Sequence, residues 1–233
     1  MPRLSSLLFT AAALLPLAAH ASATLTDTEL RWLRAGAPVL AFARQIGLPV
    51  DIVVQPQAAP GDVPLAMGFD GARCKLVLSM RGNDQAEAIL QALPTPQQGV
   101  LIESMTAHEL GHCWRYAQGS WHALPAGFVE VGQQSAADPG LLAAAKAMRE
   151  ARREEGFSDL AALAWVQERH PADYAAVYAW MEGVRRAQTL PGSSHDTLVW
   201  LREAQRGDAF AAGGSVFERA LPLWGKGLTD DSP

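Results

Sequence analysis

The chain has 233 residues, 49% of them hydrophobic and 18% charged, with 24 acidic side chains against 19 basic ones. That length suits one domain with a sizeable buried core, and a net charge of −5 argues against nucleic acid or an anionic membrane surface as a partner. After residue 23 no stretch reaches the roughly 20 apolar residues of a spanning helix, so no integral membrane segment is expected in the mature chain.

The first 23 residues read as a secretory signal peptide. Arg3 carries the only charge, residues 7–19 form a short apolar run broken by Pro16, and Ala21-Ser22-Ala23 gives a small-x-small cleavage pattern. Cleavage near Ala23 is expected to release residues 24–233 to the periplasm or the cell exterior, with 24 acids against 18 bases. In an oxidising compartment the two cysteines, Cys74 and Cys113, are a candidate disulfide.

Thr26 and Glu29 have the spacing of a capping box, opening an amphipathic helix toward Ile46 with an expected break at 36–38, where Gly36 and Pro38 fall. Residues 50–55, 63–69 and 74–80 are short, rich in valine and leucine and separated by proline and glycine turns, which predicts a small sheet. The strand from Cys74 is either an edge lining a cleft, where an extended peptide adds to it, or a strand buried within the sheet. Leu101, Ile102, Met105, Leu110 and Trp114 recur at helical spacing, which predicts a helix from 101 to about 118 after the breakers Pro94, Pro96 and Gly99. Residues 139–188 are alanine-rich and helical in pattern, with an interruption at His170-Pro171. A last helix is expected from near Asp196, as its N-cap, to Gly207, and residues 207–233 are read as a loosely ordered tail.

The chemistry concentrates in His108-Glu109-Leu110-Gly111-His112. Histidines four apart on a helix share a face and can bind one metal ion, while the glutamate beside the first supplies the base that a metal-activated water requires. Cysteine ligation by Cys113 fits less well, because it points about 100° around the helix from His112. The motif resembles that of the zincin metallopeptidases, in which two histidine ligands and the general base come from one helix. One zincin branch takes a third histidine six residues past the second, and Gln118 stands at that position. The other branch, the gluzincins, takes a glutamate from a later helix, and Glu155-Gly156-Phe157-Ser158-Asp159 resembles the Glu-x-x-Ala-Asp element of the CAAX-prenyl-protease-like gluzincins, with serine where alanine is usual. Those relatives span membranes; this chain does not have the apolar segments to do so.

The resemblance implies an α+β, zincin-like fold: a small N-terminal sheet, the active-site helix and a helical C-terminal half, occupying residues 24–206. It implies His108, His112 and Glu155 as ligands of one catalytic Zn²⁺, with Glu154 the rival to Glu155, and Asp159 accepting the outer N–H of a ligand histidine. Glu109 is the expected general base in peptide-bond hydrolysis. His195 is the first candidate for stabilising the oxyanion, as in several gluzincins, with Tyr174 and Tyr178 as rivals. Trp121-His122 either lines a cleft or packs in the core, and His122 and His170 otherwise read as surface or turn residues. The competing classes are a metal-stabilised binding protein without turnover and a zinc amidase acting on cell-wall peptides. Glu109 separates the first, since a binding protein has little need of a base beside an open metal position.

Overall fold

The structure, a computed structural model, describes residues 24–130, 138–187 and 190–231. The expected signal peptide lies outside the described residues.

Thr26 opens α1 (Asp27–Gln45) through a reciprocal capping box: its hydroxyl accepts the Glu29 N–H, and the Glu29 carboxylate accepts the Thr26 N–H at 2.7 Å. The expected break at 36–38 does not occur; α1 continues through Pro38. Proline removes one helical hydrogen bond, but α1 buries Trp32, Gly36, Val39 and Ala43 on one face, and such packing overrides local propensity. Gly36 is part of that packing, because a side chain there would meet the Thr106 hydroxyl at 2.8 Å.

Three strands follow: β1 (Val50–Val54), β2 (Leu65–Asp70) and β3 (Arg73–Leu78), in spatial order β1-β3-β2. β1 runs parallel to β3, and β2 pairs with it antiparallel, Leu65 opposite Leu78. The strand from Cys74 is therefore central, which corrects its reading as an edge. β2 is the edge that faces the cleft described below.

A short helix α2 (Gln85–Ala88) leads to α3 (Thr95–Ala117). α3 starts a turn and a half earlier than the apolar period suggested, because Pro96 falls in its first turn, where a missing N–H costs nothing. Val100, Leu101, Ile102, Ala107, Leu110 and Cys113 are buried along it. The Cys74–Cys113 disulfide, its Cα atoms 5.7 Å apart, fastens β3 to α3.

The helical half comprises α4 (Leu142–Arg169), α5 (Tyr174–Ala187), α6 (Leu198–Glu203) and α7 (Val216–Asp230). α4 ends at His170-Pro171, as the proline requires. Asp196 is not the cap of α6: Thr197 occupies that position, and the Asp196 carboxylate accepts the Gly192 N–H instead. The loosely ordered tail is also corrected. Ser215 and Glu218 form a second capping box, and α7 buries Phe217, Leu223, Trp224 and Leu228, each worth about 1.5–3 kcal/mol when fully removed from water. Asp231, just beyond α7, is held by Arg149, Arg152 and Arg153 of α4. Among the described residues no helix is long and apolar enough to cross a membrane.

Candidate metal centre

The site forms where α3 crosses α4. Gly111 makes the crossing close, since a Cβ there would lie 2.9 Å from the Ser158 hydroxyl and 3.1 Å from its Cα. Gly156 does the same on the other side of α4, where any side chain would strike the Trp200 ring of α6 at 2.3 Å. The two glycines inside the two motifs are thus contact points between helices.

At this crossing His108 and His112 converge with Glu155. His108 Nε2 and His112 Nε2 are 3.2 Å apart; Glu155 Oε2 lies 3.3 Å from the first and Glu155 Oε1 3.4 Å from the second. Four ligands at zinc bond lengths of about 2.0–2.1 Å form a tetrahedron with edges of about 3.3 Å, so each of these separations, two of them to different oxygens of Glu155, matches the spacing of two ligand atoms around one zinc ion. His108, His112 and Glu155 are the group among the described residues whose ligand atoms cluster this way.

The outer nitrogens are also occupied. His108 Nδ1 stands 3.0 Å from Asp159 Oδ1, and His112 Nδ1 stands 3.0 Å from the Ser158 hydroxyl. With each Nδ1–H donating outward, both Nε2 lone pairs point at the shared centre, which is the arrangement a metal ion uses. Asp159 has the place expected of it. It also accepts two N–H groups of Arg185, at 2.8 and 2.6 Å, and the Thr197 hydroxyl at 2.6 Å. Arg185 reaches Glu155 Oε2 at 3.3 Å.

Glu154, the rival ligand, is engaged elsewhere. Its carboxylate accepts the Arg115 guanidinium at 2.9 and 3.0 Å and the His122 N–H at 2.8 Å. One residue along a helix is a rotation of about 100°, and that rotation sends Glu154 to Arg115 while Glu155 meets the histidines.

Burial and charge compete across the cluster. Burial pushes the Glu155 carboxyl up, but His108 and His112 hold it well below the usual carboxylate range. Burial likewise raises Asp159, and Arg185 and His108 bring it down. His108 is disfavoured as a cation by burial, yet Asp159 and Glu155 hold its pKa up at about 10 without a metal. Glu109 differs in sign: burial raises its carboxyl, and the neighbouring His108 and His112 offset only part of that rise.

These groups line a cavity of about 520 Å³. Glu109 and His195 both line it, and His195 Nε2 lies 3.6 Å from Glu155 Oε2 with its side chain 48% exposed. Burial lowers the His195 pKa. Trp121 lines the cavity too, edge-on to His112 at 5.7 Å between ring centres, so it belongs to the cleft. Tyr174 and Tyr178 are not among the lining residues, and Tyr174 donates its hydroxyl to the Ala204 carbonyl. His170 is more than a turn residue: its Nε2 lies 2.9 Å from Glu103 Oε2, which also accepts the Trp165 N–H.

Sequence reasoning missed three members of the site. Ser158 was visible as a departure from alanine, and a hydroxyl in that position is the signal. Arg185 and Thr197 carry no local signal, because they reach Asp159 from α5 and the start of α6. The chain matches no protein-family model, no curated protein and no solved structure.

Proposed function

We propose that the protein is an exported zinc-dependent metallopeptidase of gluzincin type, with His108, His112 and Glu155 as metal ligands and Glu109 as general base. The observation that carries this reading is the convergence of two imidazole nitrogens, 3.2 Å apart, on one carboxylate, whose two oxygens lie 3.3 Å from the first and 3.4 Å from the second, with the outer nitrogens already partnered. When bound there, zinc supplies Lewis acidity, lowering the pKa of a water toward about 7 and polarising the scissile carbonyl.

The chain's own groups do the rest. Glu109 lines the same cavity and accepts a proton from the attacking water, then delivers it to the leaving amine. Its raised carboxyl pKa brings the acid and base forms closer in energy, as both halves of that transfer need. Neutral His195 donates its N–H to the developing oxyanion from the rim of the cleft. Asp159, Arg185 and Ser158 fix the ligands so that little reorganisation accompanies the reaction. Export follows from the signal-peptide pattern at 1–23, and the disulfide accords with an oxidising compartment.

The test pairs metal analysis with cleavage of a peptide library by wild type and Glu109→Gln. The expected result is one zinc per chain in both proteins, with cleavage by wild type reduced about 10²–10⁴-fold in the variant. Equal metal content without cleavage by either protein would leave a metal-stabilised binding protein.

A further inference from the structure

Arg115 and Glu154 each stand beside a metal ligand without serving as one. Arg115 follows His112 by three residues on α3, and Glu154 directly precedes Glu155 on α4. Both are buried, 3% and 1% exposed, and the guanidinium lies over the Trp224 and Phe157 rings, 4.3 and 5.4 Å from their centres. A buried ion pair adds little stability over apolar residues of the same volume. This pair, however, also holds a loop.

Between them the two residues grip the turn that follows α3. Arg115 donates to the Ala123 carbonyl at 2.7 Å, and its own carbonyl accepts the Ser120 N–H and hydroxyl, each at 3.0 Å. Glu154 accepts the His122 N–H at 2.8 Å. His122 is thereby kept at φ 60°, the one non-glycine residue with positive φ among those described. Such a conformation is uncommon for a bulky side chain and persists only where its surroundings over-determine it. The bonds on either side of His122 do so.

What the turn delivers is Trp121. Its indole lies edge-on to His112, with 5.7 Å between ring centres, and edge-on to Phe69 of β2 at 4.9 Å. Phe69 stacks on Tyr116 at 4.1 Å, and the Tyr116 hydroxyl donates to the Gly71 carbonyl in the turn from β2 to β3. Trp121 therefore stands between a metal ligand and the edge of the sheet. His112 is held at Nδ1 by Ser158 and along its ring by this indole.

Resting on the metal-site reading, we propose that Arg115 and Glu154 are positioning residues of the metal centre, which fix residues 120–123 so that Trp121 is pressed against His112. The indole keeps the imidazole in its ligating orientation and shields the bound ion from water on that side. An apolar shell controls solvent access to a metal site, so the buried pair slows metal release. The adjacent acids of α4 divide the work, Glu155 as ligand and Glu154 as anchor of the wall beside it.

The experiment follows zinc release from the metal-loaded protein into excess chelator. Thermal unfolding and the visible spectrum of cobalt-substituted protein are recorded for the same variants. Trp121→Ala, Glu154→Ala and His122→Val should each release zinc about tenfold faster than wild type and shift the cobalt bands. His122→Asn, whose side chain is tolerated at positive φ, should keep the wild-type rate. The double variant Glu154→Ala/Trp121→Ala should release zinc no faster than Trp121→Ala alone, because both changes act through one ring. His122→Val leaves the buried pair intact and carries the test should Glu154→Ala fail to fold. A lowered Tm with unchanged zinc release, or additive effects in the double variant, would overturn the proposal and leave the pair a structural one. Wild type that takes up no zinc would overturn the metal reading itself, and the proposal with it.

Discussion

Helix α4 carries two buried charge clusters within three turns, and they are opposite in sign and in purpose. At 149–153, the guanidinium groups of Arg149, Arg152 and Arg153 converge on Asp231 and Glu130. At 155–159, Glu155 and Asp159 of α4 face Glu109 of α3 across a single guanidinium, Arg185. The first cluster is tied together by the chain itself, which folds α7 back to deliver Asp231 to all three arginines. The second leaves two negative charges uncompensated when the histidines are neutral, which is the charge of one divalent cation. Similar burial therefore yields a structural clamp at one end and a candidate metal site at the other, and the difference lies in the sign of the charge left over, one positive among three arginines and two acids and two negative among three acids and one arginine.

That contrast is broken most directly by removing one acid from each cluster. Glu155→Ala should lose stoichiometric zinc altogether while the protein stays folded, because Glu155 contributes to no core cluster; metal analysis and circular dichroism together check this. Asp231→Ala should do the reverse. Leaving three buried arginines short of their shared carboxylate costs about 3–5 kcal/mol, lowering the Tm by about 6–20 °C for a domain of this size, with zinc content unchanged. A variant that lost both metal and stability would show that the two clusters act as one.

Smaller changes sharpen the comparison. Ser158→Ala removes the partner of His112 Nδ1 but no ligand, so zinc affinity should fall about tenfold, at the lower end of the 10–100-fold cost of losing such a partner, as read by competition with a chelator. The smallest effect lies outside both clusters, at Glu29. Arg81 bonds its carboxylate at 2.7 and 3.0 Å, and this bond lowers its pKa despite burial. A depressed carboxyl contributes stability above its unfolded pKa and loses it as pH falls through the folded value. Glu29→Gln should therefore lower the Tm at neutral pH and flatten the decline of Tm on acidification below about pH 4.5.

How much of this was legible in the sequence follows from range. The two motifs are local: spacing of four places His108 over His112 and Glu155 over Asp159 whatever surrounds them, and the even cysteine count pointed to the single bridge. The choice between Glu154 and Glu155 was not local. It depends on Arg115, 39 residues earlier, engaging one of two adjacent acids about 100° around α4 from the other. Arg185 was hidden because a basic residue in the last turn of a helix is ordinary, and only the fold brings it to Asp159. The misread tail teaches something different. Ser215 and Glu218 had the spacing of a capping box, and the apolar residues after them recur at helical period, but the glycines before them and the acids behind masked the pattern. α1 shows the converse, where Gly36 and Pro38 signalled a break that contact with Thr106 of α3 overrode.

The central claim is that two imidazoles and the Glu155 carboxylate surround one ion with a position left for water. X-ray absorption at the zinc edge of the metal-loaded protein tests it directly. The account predicts four nitrogen or oxygen neighbours at about 2.0–2.1 Å, with outer-shell scattering from two imidazole rings that falls to one in His112→Ala. A sulfur neighbour at about 2.3 Å, or a spectrum without imidazole scattering, would contradict it.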